Sequence, residues 1–142
     1  MTNEEIRLQE EIKDYNTHQK RKENDEVFTP DSLINEMLDK LPPSAWNDPA
    51  KTFLDPCAGL GNFSVQMLKR LMAGLEEAIP DPEARKKHIL ECMLFHVEMN
   101  PESVAKLHKV LNPDGKYTLN VHCGDFLAFA DEVNSKKGKP LF

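Results

Sequence analysis

Three carboxylates stand where short apolar runs give way to turns: Asp55 closes FLD, Glu98 closes LFHVE, and Asp125 follows VHCG. Asp55 is followed at once by PCAGLGNF, which brings Gly59 and Gly61 beside it. An ionised carboxylate only accepts hydrogen bonds, so it selects hydroxyls, amines and cations and turns away anions. The usual occupant of a glycine loop ahead of a helix is a phosphate, and Asp55 would repel it. A carboxylate after a second strand is the ordinary acceptor for ribose hydroxyls, and one after a third strand is placed to accept from the exocyclic amine of a base. With Asp55 facing a positive group, the three describe a ligand with a ribose, an adenine and a cationic centre, and no phosphate.

Such residues converge only if the elements between them form an open parallel sheet, whose ligands lie outside the carboxyl ends of the strands. The chain reads that way. KTFLDP (51–56), MLFHVE (93–98) and KYTLNVHC (116–123) are the strand candidates, separated by helical patterns. After the glycines, Phe63, Met67, Leu68, Leu71 and Leu75 give the inner face of a long helix. A shorter helix is announced by Asp81 as cap and Pro82 in the first turn, an elaboration between two strands. Asn100 and Pro101 open another, with Val104, Leu107, His108 and Leu111 expected inward, and NPDG (112–115) is a turn. Upstream, Thr29 is the expected cap of a helix with Pro30 at its first position and an apolar stripe of Leu33, Ile34, Met37, Leu38 and Leu41. The alternation predicts an α/β fold with a parallel sheet and flanking helices.

At 142 residues, 39% hydrophobic and 30% charged, the chain suits one globular domain. No apolar stretch nears the roughly 18 residues of a membrane span, and the charged N-terminus has no signal-peptide core, so the expectation is a cytoplasmic protein with no membrane partner. The formal net charge of −6 opposes a nucleic-acid backbone, so the grip on any DNA or RNA substrate must come from elsewhere. Cys57, Cys92 and Cys123 show no zinc spacing and are expected as buried thiols; the five histidines form no ligand pattern, and no metal site is predicted. Residues 1–25 read as a charged N-terminal helix or arm, with Leu8, Ile12 and Tyr15 at helical spacing and a basic cluster at Lys20, Arg21 and Lys22. Residues 26–142 hold the sheet.

The motifs together resemble a known family. DPCAGLGNF is similar to the cofactor loop of DNA adenine-N6 methyltransferases, commonly Asp-Pro-x-x-Gly-x-Gly-x-Phe; VFTP, VEMNP and CGDF resemble three further family segments in the right order. The resemblance runs from about residue 26 to residue 126 and implies a Rossmann-like methyltransferase sheet with S-adenosylmethionine as cofactor. It places Thr29 and Pro30 near the cofactor carboxylate, and Asp55, Pro56, Ala58, Gly59, Gly61 and Phe63 in the loop around its methionine portion. Glu98 would bind the ribose hydroxyls, Met99 would pack on the adenine, Asp125 would accept from its amine and Phe126 would flank the ring. A dinucleotide site fits worse, because the third glycine of Gly-x-Gly-x-x-Gly falls on Ser64 and the following acid is delayed to Glu98.

The family's catalytic Asn-Pro-Pro-aromatic motif, which follows its fourth strand, does not occur in the sequence, and LNPDG (111–115) precedes the third strand. No catalytic residue is therefore assigned. Two accounts follow. One is the cofactor-binding half of a longer restriction-modification type enzyme acting on DNA, holding three strands and the start of a fourth. The other is a non-catalytic binding module, and RNA or a protein glutamine remains open as methyl acceptor. In the family's sheet order the first strand pairs with the fourth, so the edge around Phe53 and Leu54 is expected to be uncovered, favouring self-association or a partner chain.

Overall fold

The computed structural model of the chain describes residues 2–23 and 29–135, with backbone alone over 14–23. The side chains of Tyr15, Lys20, Arg21 and Lys22, and all of Val27 and Phe28, lie outside the described residues. The elements run α1 (Asn3–Glu23), α2 (Asp31–Leu38), β1 (Phe53–Asp55), α3 (Asn62–Gly74), α4 (Pro82–His88), β2 (Leu94–Glu98), α5 (Pro101–Leu111), β3 (Asn120–Cys123) and α6 (Phe126–Ser135). The architecture is α/β, with a parallel three-stranded sheet in the order β1-β2-β3 and flanking helices, consistent with a Rossmann-like fold. Phe53 to Asp55 pair with Leu94 to His96, and Phe95 to Glu98 with Asn120 to Cys123. Among the described strands β1 is an edge, and Leu54 on it is 50% exposed.

The core forms because α3 and the segment before β2 present aliphatic residues to the same space. Met67 and Leu71 of α3 and Leu75, which follows it, meet Ile89, Leu90, Met93 and Leu94, with Leu107 and Leu111 of α5 closing the cluster. Asp81 caps α4 by accepting from the Ala84 N–H at 2.9 Å, as its sequence predicts. Arg85 is buried without a carboxylate: it donates to Met72, Ile79 and Pro80 carbonyls at 2.9–3.0 Å, which places a cation at the C-terminal end of α3, where the helix dipole favours it. A π-turn over Ile89–Met93 then delivers the chain to β2.

Several expectations are corrected. Thr29 does not cap α2; Pro30 occupies the N-cap position and no side chain bonds there. Of the α2 stripe only Ile34 and Leu38 are buried, with α3 as the helix's main neighbour; Leu33, Met37 and Leu41 are exposed. His108 is exposed, since the buried line of α5 runs through Ser103, Leu107, Val110 and Leu111, the last two shared between the core and α1. The third strand is only half as long as the pattern KYTLNVHC suggests: Asn112 takes the Tyr117 N–H and C=O with its side chain, so that stretch pairs with an amide and not with β2. All three cysteines are exposed, at the glycine turn, on the π-turn and at the end of β3. Helix α6 has no counterpart in the sequence reading.

Candidate functional site

β1 ends at Asp55, and the chain then folds back onto β2. The Ala58 N–H donates to the Val97 carbonyl at 2.9 Å, the Gly59 N–H to Glu98 Oε1 at 2.9 Å, and the Gly61 N–H to the Ala58 carbonyl at 3.0 Å. Gly59 and Gly61 both take positive φ, +55° and +93°, which side chains with a Cβ rarely adopt. They differ in their surroundings. A Cβ on Gly61 would stand 2.6 Å from Leu107 Cδ1, so this glycine lets α5 approach; a Cβ on Gly59 would meet nothing, so its face is open. Leu60 between them is buried against Ile12 of α1 and Val110 of α5, which anchors the turn from behind.

At the next strand end Glu98 is half-buried, and its second oxygen, Oε2, accepts from the Asn100 N–H at 2.9 Å. Asn100 caps α5 as its sequence predicts, accepting from the Glu102 N–H at 2.9 Å. Cys123, the register partner of Glu98, closes β3, and the Gly124 N–H donates to the Glu98 carbonyl at 2.9 Å. The three strand ends are therefore stitched side by side by backbone bonds. Asp125 follows, exposed, with Oδ2 accepting from Ala128 at a long 3.4 Å while its carbonyl accepts from Phe129.

The expected site residues thus fall into three groups. Asp55, Ala58, Gly59 and Gly61 share the turn, with Pro56 exposed on it and Ala58 buried beneath it. Glu98 and Met99 follow β2, and Met99 is 69% exposed. Asp125 and Phe126 follow β3, where Phe126 is the first residue of α6. Phe63 packs against the core from α3. Thr29 is half-buried and Pro30 exposed ahead of α2, on a segment separate in sequence from the three strand ends.

Electrostatics single out Asp55. Its Oδ1 accepts from the Cys57 N–H at 3.2 Å, while Oδ2 is buried and has no hydrogen-bond partner, alone in this among the described side chains. Burial pushes the carboxyl above its ordinary range; the Cys57 N–H pulls against the rise and the negative charge of Glu98 adds to it. A buried polar atom without a partner is expensive, and a cation beside it relieves the cost. Glu98 fits a sugar as well: two of its about four lone-pair sites serve backbone N–H groups, leaving the others for hydroxyls.

The sequence reading missed one polar pair next to this site. His96 on β2 is fully buried, with Nε2 2.7 Å from Ser64 Oγ and Nδ1 3.1 Å from the Asn120 carbonyl. The only available signal was Ser64 standing one turn into α3, opposite a histidine within an apolar run. Among the described residues no cluster of His, Cys, Asp and Glu could hold a metal, and no helix is long and apolar enough to cross a membrane.

No family model matches the chain. A protein of Mycoplasma pneumoniae described as an uncharacterized adenine-specific methylase is 46% identical to it over 77 residues, 52% of this chain and 18% of the relative. The chain therefore spans less than a fifth of that relative's length, and over the matched stretch it is methyltransferase-like in sequence.

Proposed function

We propose that the chain binds S-adenosylmethionine and forms the cofactor-binding part of a DNA adenine-N6 methyltransferase of restriction-modification type. The observation that carries this reading is the grouping at one end of the sheet: an open glycine turn, a carboxylate with an orphaned oxygen, and two further acids on adjacent strand ends. Asp55 meets the positive charge of the methionine portion, Glu98 the ribose hydroxyls and Asp125 the adenine amine. Met99 and Phe126 supply apolar surface for the ring. The methylase relative supports the choice of an adenosyl cofactor and of adenine as acceptor. The cofactor supplies the electrophilic methyl group; the residues described here bind and orient it.

Methyl transfer itself needs a group to hold the target nitrogen, and the sequence carries no Asn-Pro-Pro-aromatic motif to do so. In this reading further strands of the sheet add along the free edge of β1. Calorimetry with S-adenosylhomocysteine tests the assignment. Asp125→Ala is expected to weaken binding by about 1–3 kcal/mol if the ligand buries the hydrogen bond from the adenine amine to this carboxylate. Equal affinities would remove Asp125 from the site.

A further inference from the structure

Glu98 does more than stand at a strand end. Its Oε1 accepts from Gly59, in the loop after β1, and its Oε2 accepts from Asn100, in the loop after β2. One carboxylate thus bridges the two loops across which a nucleoside would lie. Gly59 has little else to fix it. Its φ is +55°, no atom would touch a Cβ placed there, and its neighbours' backbone bonds go to Val97 and within the turn. A glycine loses more freedom on ordering than any other residue, so a turn of this kind needs an external hold. Bonds from N–H groups to an ionised carboxylate are the stronger sort.

We propose that Glu98 is a positioning residue for the glycine turn: by clamping the Gly59 and Asn100 amides it sets the spacing of the two loops before any ligand arrives. The clamp leaves lone pairs on both oxygens, so a ribose docks onto it without breaking it. The ligand side of the proposal rests on the adenosyl-cofactor reading above; the clamp itself does not.

Two measurements separate them. In the ligand-free protein, amide hydrogen exchange followed by NMR reads the clamp directly. Glu98→Ala removes both acceptors, and the Gly59 and Asn100 amides are expected to exchange about tenfold faster or more, with Val97 and Leu71 unchanged. Glu98→Gln keeps the shape but turns one acceptor into a donor, so one of the two amides is released; this variant decides the matter if the alanine protein fails to fold. Wild-type exchange at both amides in Glu98→Gln overturns the clamp. With ligand, Glu98→Gln is titrated with S-adenosylhomocysteine and with its 2′,3′-dideoxy analogue. A residue that only binds ribose weakens the first and leaves the second alone, whereas a positioning residue weakens both. Unchanged affinity for the dideoxy analogue overturns the positioning role. Failure of the wild type to bind either compound overturns the cofactor reading, and the exchange rates still decide the clamp.

Discussion

Asp55 and His96 are register partners on adjacent strands, and the structure treats them in opposite ways. His96 is sealed in the sheet with both ring nitrogens engaged. The Asn120 carbonyl can only accept, so Nδ1 carries the proton and Nε2 accepts from the Ser64 hydroxyl. Burial lowers its pKa to about 4, against a smaller upward pull from the Asn120 bond and with help from the charge of His108. Asp55 sits one strand over with an oxygen that nothing satisfies. Interior polar groups are satisfied almost without exception, so the orphaned oxygen sets Asp55 apart, and in the function proposed above it marks the end of the sheet that takes the ligand. The pair contrasts a polar group satisfied within the fold with one that the fold leaves without a partner.

The largest expected effect tests the His96 side. Its folded pKa of about 4 lies below the ordinary 6.5, so as pH falls the unfolded chain gains its proton first. The stability due to neutral His96 is complete above about 6.5 and is lost progressively down to about 4, about 3 kcal/mol in all. Urea melts between pH 7 and pH 5, above most carboxylate titrations, should show the steep part, and His96→Leu should flatten it. An unaltered slope in that variant would break the contrast. Asp55 acts in the other direction: its raised pKa means that ionisation costs stability, and the fold gains as pH falls through that pKa.

Of comparable size is the glycine pair. Gly61→Ala combines positive φ with a clash against Leu107 and should cost about 2–4 kcal/mol of stability, read from denaturant melts. Gly59→Ala meets no atom and should cost about 1–2 kcal/mol while losing S-adenosylhomocysteine affinity, because its new methyl enters the open face. The smallest effect sharpens the comparison most. Asp55→Asn removes a buried charge next to Glu98, and should raise stability at pH 7 by about 0.5 kcal/mol or more while weakening binding. A variant that is both less stable and fully competent to bind would make Asp55 a structural residue.

Much of this was legible because local rules and the fold agree. Asp81 and Asn100 cap the helices that their Asx-Pro starts announce, and the acids at 55 and 98 end the strands on which apolar runs stop. Legibility failed where a side chain overrode the backbone pattern or where coverage depended on distant neighbours. Asn112 diverts residue 117 from β3, and Pro30 takes the cap from Thr29. Leu33 and Met37 stay outside because nothing described packs on that side of α2, and periodicity alone cannot tell which apolar face finds a partner. Helix α6 escaped notice because Asp125, read only as a ligand acceptor, also accepts from the N–H groups that start it. At the site, the acids and glycines showed in the sequence; the Glu98 bridge did not, since it joins residues 39 positions apart.

The central claim, that an adenosyl cofactor occupies the carboxyl end of this sheet, is tested most directly by amide NMR of the 142-residue chain titrated with S-adenosylhomocysteine. The account predicts saturable shifts at Gly59, Gly61, Met99 and Asp125, with Ile89, Leu90 and Leu107 in the core unmoved. A folded protein whose spectrum stays unchanged at millimolar ligand, or whose shifts fall away from the three strand ends, would contradict it.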